Sequence, residues 1–114
     1  MSVEATVKTA VRAALAKKAE DVAVLDLRGS ADFTDFFILL SGRNQRQLVA
    51  IADAVRESLR AEGWRPIHVE GYPRQEWILL DYEHFVVHVF TPATRSFYDL
   101  ERLWGGATGL EVEE

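Results

Sequence analysis

Along the first stretch of the chain the apolar residues Val3, Val7, Ala10, Val11, Ala14 and Leu15 recur at three-and-four spacing, which predicts an amphipathic helix from Ser2 to about Lys18 with Ser2 as its cap. The β-branched run Val22 to Leu27, closed by Gly29-Ser30, predicts a strand. Phe36 to Ser41 is apolar on both parities, the pattern of a central strand buried on both faces. A second helix follows Gly42: Asn44 is its cap, Gln47 sits at the N3 position, Leu48, Ile51, Ala52, Val55 and Leu59 form its buried stripe, and Gly63 stops it.

Pro66 to Val69 predicts a short edge strand. Glu76 to Tyr82 and Phe85 to Thr91 are two strands close enough in sequence to form a hairpin turning through Glu83-His84. A last helix is expected from about Thr94, just after Pro92, with Phe97, Leu100, Leu103 and Trp104 on one side. The order α-β-β-α-β-β-β-α predicts an α/β fold: one mixed sheet of about five strands flanked by helices. Residues 1–104 make a single domain, and 105–114 a short flexible acidic tail.

The hairpin divides its side chains into two sets, because antiparallel partners share a face. Ile78, Leu80, Tyr82, Phe85, Val87 and Val89 suit a core, whereas Trp77, Leu79, Asp81, Val86, His88 and Phe90 mix large aromatics with ionisable groups. Two readings of this mixed face stand side by side. In one, the last helix covers it and Asp81 and His88 satisfy each other as a diagonal pair; in the other, part of it stays open as a recognition surface, since interfaces favour aromatic anchors flanked by polar groups.

Composition narrows the function. With 114 residues there is material for one core, and 48% hydrophobic with 27% charged residues is ordinary for a globular chain. The longest apolar run, Phe36 to Leu40, is far shorter than the roughly 20 residues of a membrane span, and the N-terminus lacks the basic start and apolar stretch of a secretory signal; a cytoplasmic location away from membranes is expected. The absence of cysteine removes disulfides, thiolate catalysis and cysteine-based zinc sites. A net charge of -5 with only three lysines argues against free nucleic acid as the main partner and for a basic protein.

The candidate chemistry is thin. A Ser-His-Asp reading would use Asp81 to orient His88, but no Gly-x-Ser-x-Gly elbow supplies a nucleophile. His84 and His88 share a strand face, yet zinc needs a third protein ligand. Gly29-Ser30 has the look of a nucleotidyltransferase turn, but the paired aspartates that would hold magnesium are missing around Leu40 to Arg43. The start of the second helix, Gly42 to Arg46, lacks the lysine and glycines of a phosphate-binding loop. No cofactor and no catalytic or metal residues are expected.

Several blocks in order resemble the ribosomal silencing factors, also called the Iojap family: Ala31-Asp32-Phe33-Thr34-Asp35-Phe36-Phe37-Ile38, Ser41-Gly42 with the Arg46-Gln47 helix, Glu70-Gly71, Trp77 to Tyr82, Val86 to Phe90, and Arg95 to Trp104. The chain departs from the family's pattern at the turn Tyr82-Glu83-His84-Phe85 and in its short tail. The resemblance implies a nucleotidyltransferase-like fold without that superfamily's activity. It also implies a factor that binds the fourteenth protein of the large ribosomal subunit, sterically stops the small subunit from joining, and restrains translation when nutrients are scarce.

On that basis Trp77, Asp81, His88 and Phe90 of the sheet, with Arg95, Tyr98 and Glu101 of the last helix, are expected to form or support the ribosomal contact, and Trp104 to belong to the core. Two other readings remain: a degenerate nucleotide-binding protein with a pocket near Ser30, Asp32 and Asp35, and a homodimer joined through the mixed face or an edge strand.

Overall fold

The computed structural model describes residues 3–29, 33–98 and 108–109, with 97, 98, 108 and 109 described by backbone alone. Helix α1 spans Val3–Ala16 and strand β1 Glu20–Asp26; β2 is Phe36–Ser41, α2 is Gln45–Ala61, β3 is His68–Glu70, β4 is Trp77–Asp81 and β5 is Phe85–Phe90. Helix α3, Pro92–Tyr98, and the two-residue strand β6, Thr108–Gly109, complete the order. The strands form one mixed sheet in the order β3-β4-β5-β2-β1-β6. Strands β2 and β5 run parallel, and every other pair is antiparallel.

The parallel β2–β5 pair explains the central position of the most apolar segments, because a parallel strand is reached only through a crossover and is covered on both faces. All six residues of β2 and all six of β5 are buried. On one face α1 and α2 close the larger core, which joins Val7, Ala10 and Val11 of α1 to Leu48, Ile51 and Val55 of α2 and to Ile38, Leu40, Ile78, Leu80, Val87 and Val89 of the sheet. The opposite face carries a smaller cluster of Leu27, Phe37, Leu39, Val86 and Phe90, with Ala23, Leu25, Trp77 and Leu79 packed at its margin.

Local chemistry accounts for the element ends. Asn44 accepts from the Gln47 backbone N–H at 2.8 Å, and the Gln47 carboxamide oxygen accepts from the Arg43 N–H at 2.7 Å, a reciprocal cap shifted one residue outward. The Gln47 amide nitrogen also donates to the Lys17 and Lys18 carbonyls at 3.2 and 3.0 Å, tying the end of α1 to the start of α2.

The expected elements shift in four places. Strand β1 starts two residues earlier than the β-branched run, because an irregularity between Glu20 and Ala23, with Asp21 at φ 48, lets polar residues enter the ladder. Strand β3 lies two residues later than expected and runs to Glu70. Helix α3 begins at Pro92 rather than Thr94: proline suits the first helical position, and the Thr91 hydroxyl lies 3.4 Å from the Thr94 N–H. Within the tail expected to be flexible, Thr108 and Gly109 pair with Asp26 and Leu25 at the β1 edge. The expected cap Ser2 lies outside the described residues, as do Leu100, Leu103, Trp104 and the remainder of the tail.

Candidate functional site: the aromatic face of the hairpin

The hairpin register is the one the sequence predicts: Trp77 faces Phe90, Leu79 faces His88 and Asp81 faces Val86. A two-residue turn closes it, with Glu83 at φ 73 and the Tyr82 N–H donating to the Phe85 carbonyl at 2.9 Å. Trp77, Leu79, Asp81, Val86, His88 and Phe90 therefore share one face, but burial splits them. The three on central β5 are buried, His88 at 3% and Phe90 at 1% exposure, whereas the three on outer β4 are half-exposed. Position in the sheet decides this, since β4 has only the three-residue β3 beyond it.

An aromatic row crosses this face. Phe33, 58% exposed, has its ring 5.8 Å from Phe37; Phe37 meets His88 edge-on at 4.6 Å; Trp77 stacks on Phe90 at 5.2 Å. The Trp77 indole N–H donates to Nδ1 of His88 at 3.0 Å. Nδ1 must then be unprotonated, which leaves the proton on Nε2, a buried atom without a hydrogen-bond partner. Burial pushes the His88 pKa down to about 3, so the ring is neutral and acts as an acceptor that orients Trp77.

The diagonal Asp81–His88 pair expected from the sequence does not form. Trp77 occupies the acceptor nitrogen of His88, and the Asp81 carboxylate instead accepts from the Glu83 N–H at 2.8 Å, bracing the turn. With no Asp81 contact His88 cannot serve as an oriented base. Arg95 is half-buried and donates to the Ser41 hydroxyl at 2.9 Å, anchoring α3 to the end of β2. The Tyr98 side chain and all of Glu101 lie outside the described residues. The structure thus gathers Trp77, His88 and Phe90 into one unit, places Asp81 at its turn end and sets Arg95 on the neighbouring helix.

Beside Trp77 lies a groove of about 530 Å³ lined by Glu70, Gly71, Pro73, Arg74, Trp77 and Leu79. Gly71, at φ 99, brings the 71–76 loop against β4 so closely that a Cβ would lie 1.9 Å from the Trp77 carbonyl oxygen. This groove adds Leu79, Gly71 and Pro73 to the candidate site. Alternation places Leu79 on the correct face but does not single it out; the exposure of β4 does.

Of the residues of the nucleotide-pocket reading, Ser30 and Asp32 lie outside the described residues, and the Asp35 carboxylate stands 4.0 Å from the His84 ring. Among the described residues no group of three or more His, Asp or Glu could hold a metal ion, and no described helix is long and apolar enough to cross a membrane.

Fold and face together define an open mixed-sheet α/β protein that presents a partly exposed aromatic surface at one end of the sheet. The comparisons give this class its family. Residues 1–114 match the family described as "Ribosomal silencing factor during starvation". The chain is 37% identical over 113 residues to ribosomal silencing factor RsfS of Halalkalibacterium halodurans, covering 99% of this chain and 97% of that one. It is 36% identical over 101 residues to the chloroplastic protein Iojap of Zea mays, covering 89% of this chain and 44% of that one. A crystal structure of a protein from Chromobacterium violaceum superposes with a TM-score of 0.89 at 34% identity, covering 92% of this chain and 88% of that one. The chain belongs to the ribosomal silencing factor family, the Iojap family.

Proposed function

We propose that this protein binds the large ribosomal subunit through that subunit's fourteenth protein and, by its bulk, blocks joining of the small subunit, repressing translation when nutrients are limiting. The observation that carries the reading is Trp77: a half-exposed indole, stacked on Phe90 and held by His88, stands beside an apolar groove. An aromatic anchor pre-positioned in this way loses little side-chain entropy on binding and carries energy out of proportion to its area. Trp77 and Leu79 make the contact, Asp81 holds the turn that presents them, and the buried His88 and Phe90 support Trp77 from below. Arg95 fixes α3 to the end of β2, and Tyr98 and Glu101 extend the proposed contact. The net charge of -5 favours encounter with a basic ribosomal protein. The name of a murine relative, mitochondrial assembly of ribosomal large subunit protein 1, 29% identical over 91 residues and covering 77% of this chain and 40% of that one, supports the choice of subunit. The protein acts in the cytoplasm, where bacterial ribosomes are found, and works by binding rather than catalysis.

Co-sedimentation with separated large and small subunits, followed by a subunit-joining assay, tests the proposal. Selective binding to large subunits with loss of joining is expected. Absence of binding to large subunits overturns it.

A further inference from the structure

Between the second half of α2 and the β3 edge lies an open cleft of about 680 Å³, within the roughly 300–1,000 Å³ of small-molecule sites. It belongs to the face that α1 and α2 cover, where Trp64 and Val69 pack, and so lies away from Trp77 on the opposite face. Two of its charged side chains are engaged by a single phenol: the Tyr72 hydroxyl donates to Asp53 at 2.8 Å, and the Arg56 guanidinium lies 5.3 Å from the centre of the Tyr72 ring. The other three, Glu57, Arg60 and Arg65, are exposed, and their side chains have no hydrogen-bond or ion-pair partner among the described residues. Nor are these arginines needed to cap α2. The Trp64 N–H donates to the Leu59 carbonyl and the N–H of Gly63, at φ 90, to the Arg60 carbonyl, both at 2.9 Å. Two cations and one carboxylate are thus left to a ligand.

Trp64 supplies a flat wall. Phe85 meets its ring edge-on at 5.5 Å and steadies it, and the indole N–H has no partner among the described residues. A partly exposed aromatic ring of this kind takes a second planar ring by stacking. Arg60 and Arg65 bring paired N–H donors that match phosphate oxygens. Glu57 stands one helical turn from Arg60 on the same side of α2. Its carboxylate can accept two N–H bonds side by side. Among the common bases guanine offers that pair, at N1 and at its exocyclic amine, whereas adenine presents an acceptor at N1 and has no amine beside it. We infer that this cleft binds a guanine nucleotide, with the base stacked on Trp64 and read by Glu57 and the phosphates held by Arg60 and Arg65. Asp53 does not stand against the phosphates, because Tyr72 and Arg56 answer its charge. The site is separate from Ser30, Asp32 and Asp35, and arginine rather than a metal meets the phosphate charge. The inference does not rest on the ribosomal reading, whose residues lie on the other face of the sheet.

The test is isothermal titration calorimetry of the full chain with GDP in magnesium-free buffer, with ADP and inorganic pyrophosphate as comparisons. GDP is expected to bind saturably. ADP should bind more weakly by on the order of tenfold, because it lacks the N–H pair that Glu57 accepts, and pyrophosphate by a similar factor or more, because it offers nothing to Trp64. The double variant R60A/R65A should weaken GDP binding by on the order of tenfold or more. Glu57→Gln should bring GDP and ADP to similar affinities, since a carboxamide has one acceptor and one donor group and suits either base. All three positions are exposed, and circular dichroism checks that the fold is retained. A second measurement locates the ligand without relying on these variants: in the wild-type chain the indole N–H resonance of Trp64, assigned by its loss in Trp64→Phe, should move as GDP is added, while that of Trp77 stays. No binding at millimolar GDP, ADP or pyrophosphate as tight as GDP, a double variant that binds like wild type, a Glu57→Gln chain that keeps the full preference for GDP, or a shift confined to Trp77 overturns the inference.

Discussion

The indole N–H of Trp77 donates to Nδ1 of His88 at 3.0 Å across the β4–β5 hairpin, joining a half-exposed aromatic ring to a buried imidazole. The bond requires a neutral His88, and burial holds the ring neutral by lowering its pKa to about 3.

A pH dependence of stability follows. The unfolded chain binds a proton on His88 near the ordinary value of about 6.5, and the folded chain only near 3, so between these values the unfolded state binds more protons. This contribution to stability is fully present above about pH 6.5 and is lost as the pH falls, at about 1.4 kcal/mol per pH unit. Carboxylates add their own slope, so the comparison is with His88→Phe, in which they are unchanged. Urea midpoints measured from pH 7 to 4 should fall more steeply for the wild type than for the variant. Equal slopes would show that His88 does not titrate in this way.

Gly71 sets the groove. At φ 99, with a Cβ position 1.9 Å from the Trp77 carbonyl, it admits no side chain without backbone movement. Gly71→Ala should cost about 2 kcal/mol or more in chemical denaturation and alter the near-ultraviolet signal of Trp77. A variant as stable as wild type would mean that the loop yields freely and that glycine is not required there.

Much of this architecture is legible in the residues themselves. The double-parity run from Phe36 to Ser41 marks a strand covered on both faces, and the Asn44, Gln47 and Gly63 signals bracket α2 because capping chemistry is local. The hairpin register follows from one two-residue turn. Three features are not local and escape such reading. The irregularity at Asp21 depends on pairing with β2, and the separation of buried β5 from half-exposed β4 depends on strand order. The partner of His88 is the third: counting positions favours the diagonal with Asp81, but the long indole of Trp77 reaches the imidazole first, and a free N–H two residues away draws Asp81 into the turn. The candidate site is therefore legible as a face, and only the fold shows which half of that face is exposed.

Gln47 has two roles that substitution separates. Its carbonyl oxygen caps Arg43, and its amide nitrogen bridges the Lys17 and Lys18 carbonyls. Gln47→Ala loses both and should cost about 1–2 kcal/mol. Gln47→Glu keeps the cap acceptor but sets a carboxylate against two carbonyl oxygens, so it should fall closer to alanine than to wild type in a thermal melt. If glutamate proves as stable as glutamine, the cap alone matters and the link between α1 and α2 contributes little.

Trp77 offers the sharpest test of how the proposed ribosomal face gains its energy. Two properties of the indole are separable: the ring area stacked on Phe90, and the N–H that fixes its orientation through His88. Trp77→Ala removes both and should weaken binding to large subunits by about 2 kcal/mol, roughly thirtyfold, the scale of a central anchor. Trp77→Phe keeps a stacked ring and loses only the N–H. If burial of apolar area dominates, phenylalanine retains most of the affinity; if orientation by the His88 bond dominates, it behaves like alanine. Co-sedimentation with large subunits over a protein titration distinguishes these outcomes, with His88→Phe as the reciprocal variant. A face driven by burial predicts that this variant also binds well, because the phenyl ring it introduces would maintain the packing beneath an indole that water can still satisfy. Full binding by Trp77→Ala in a correctly folded chain would remove this face from the ribosomal contact altogether.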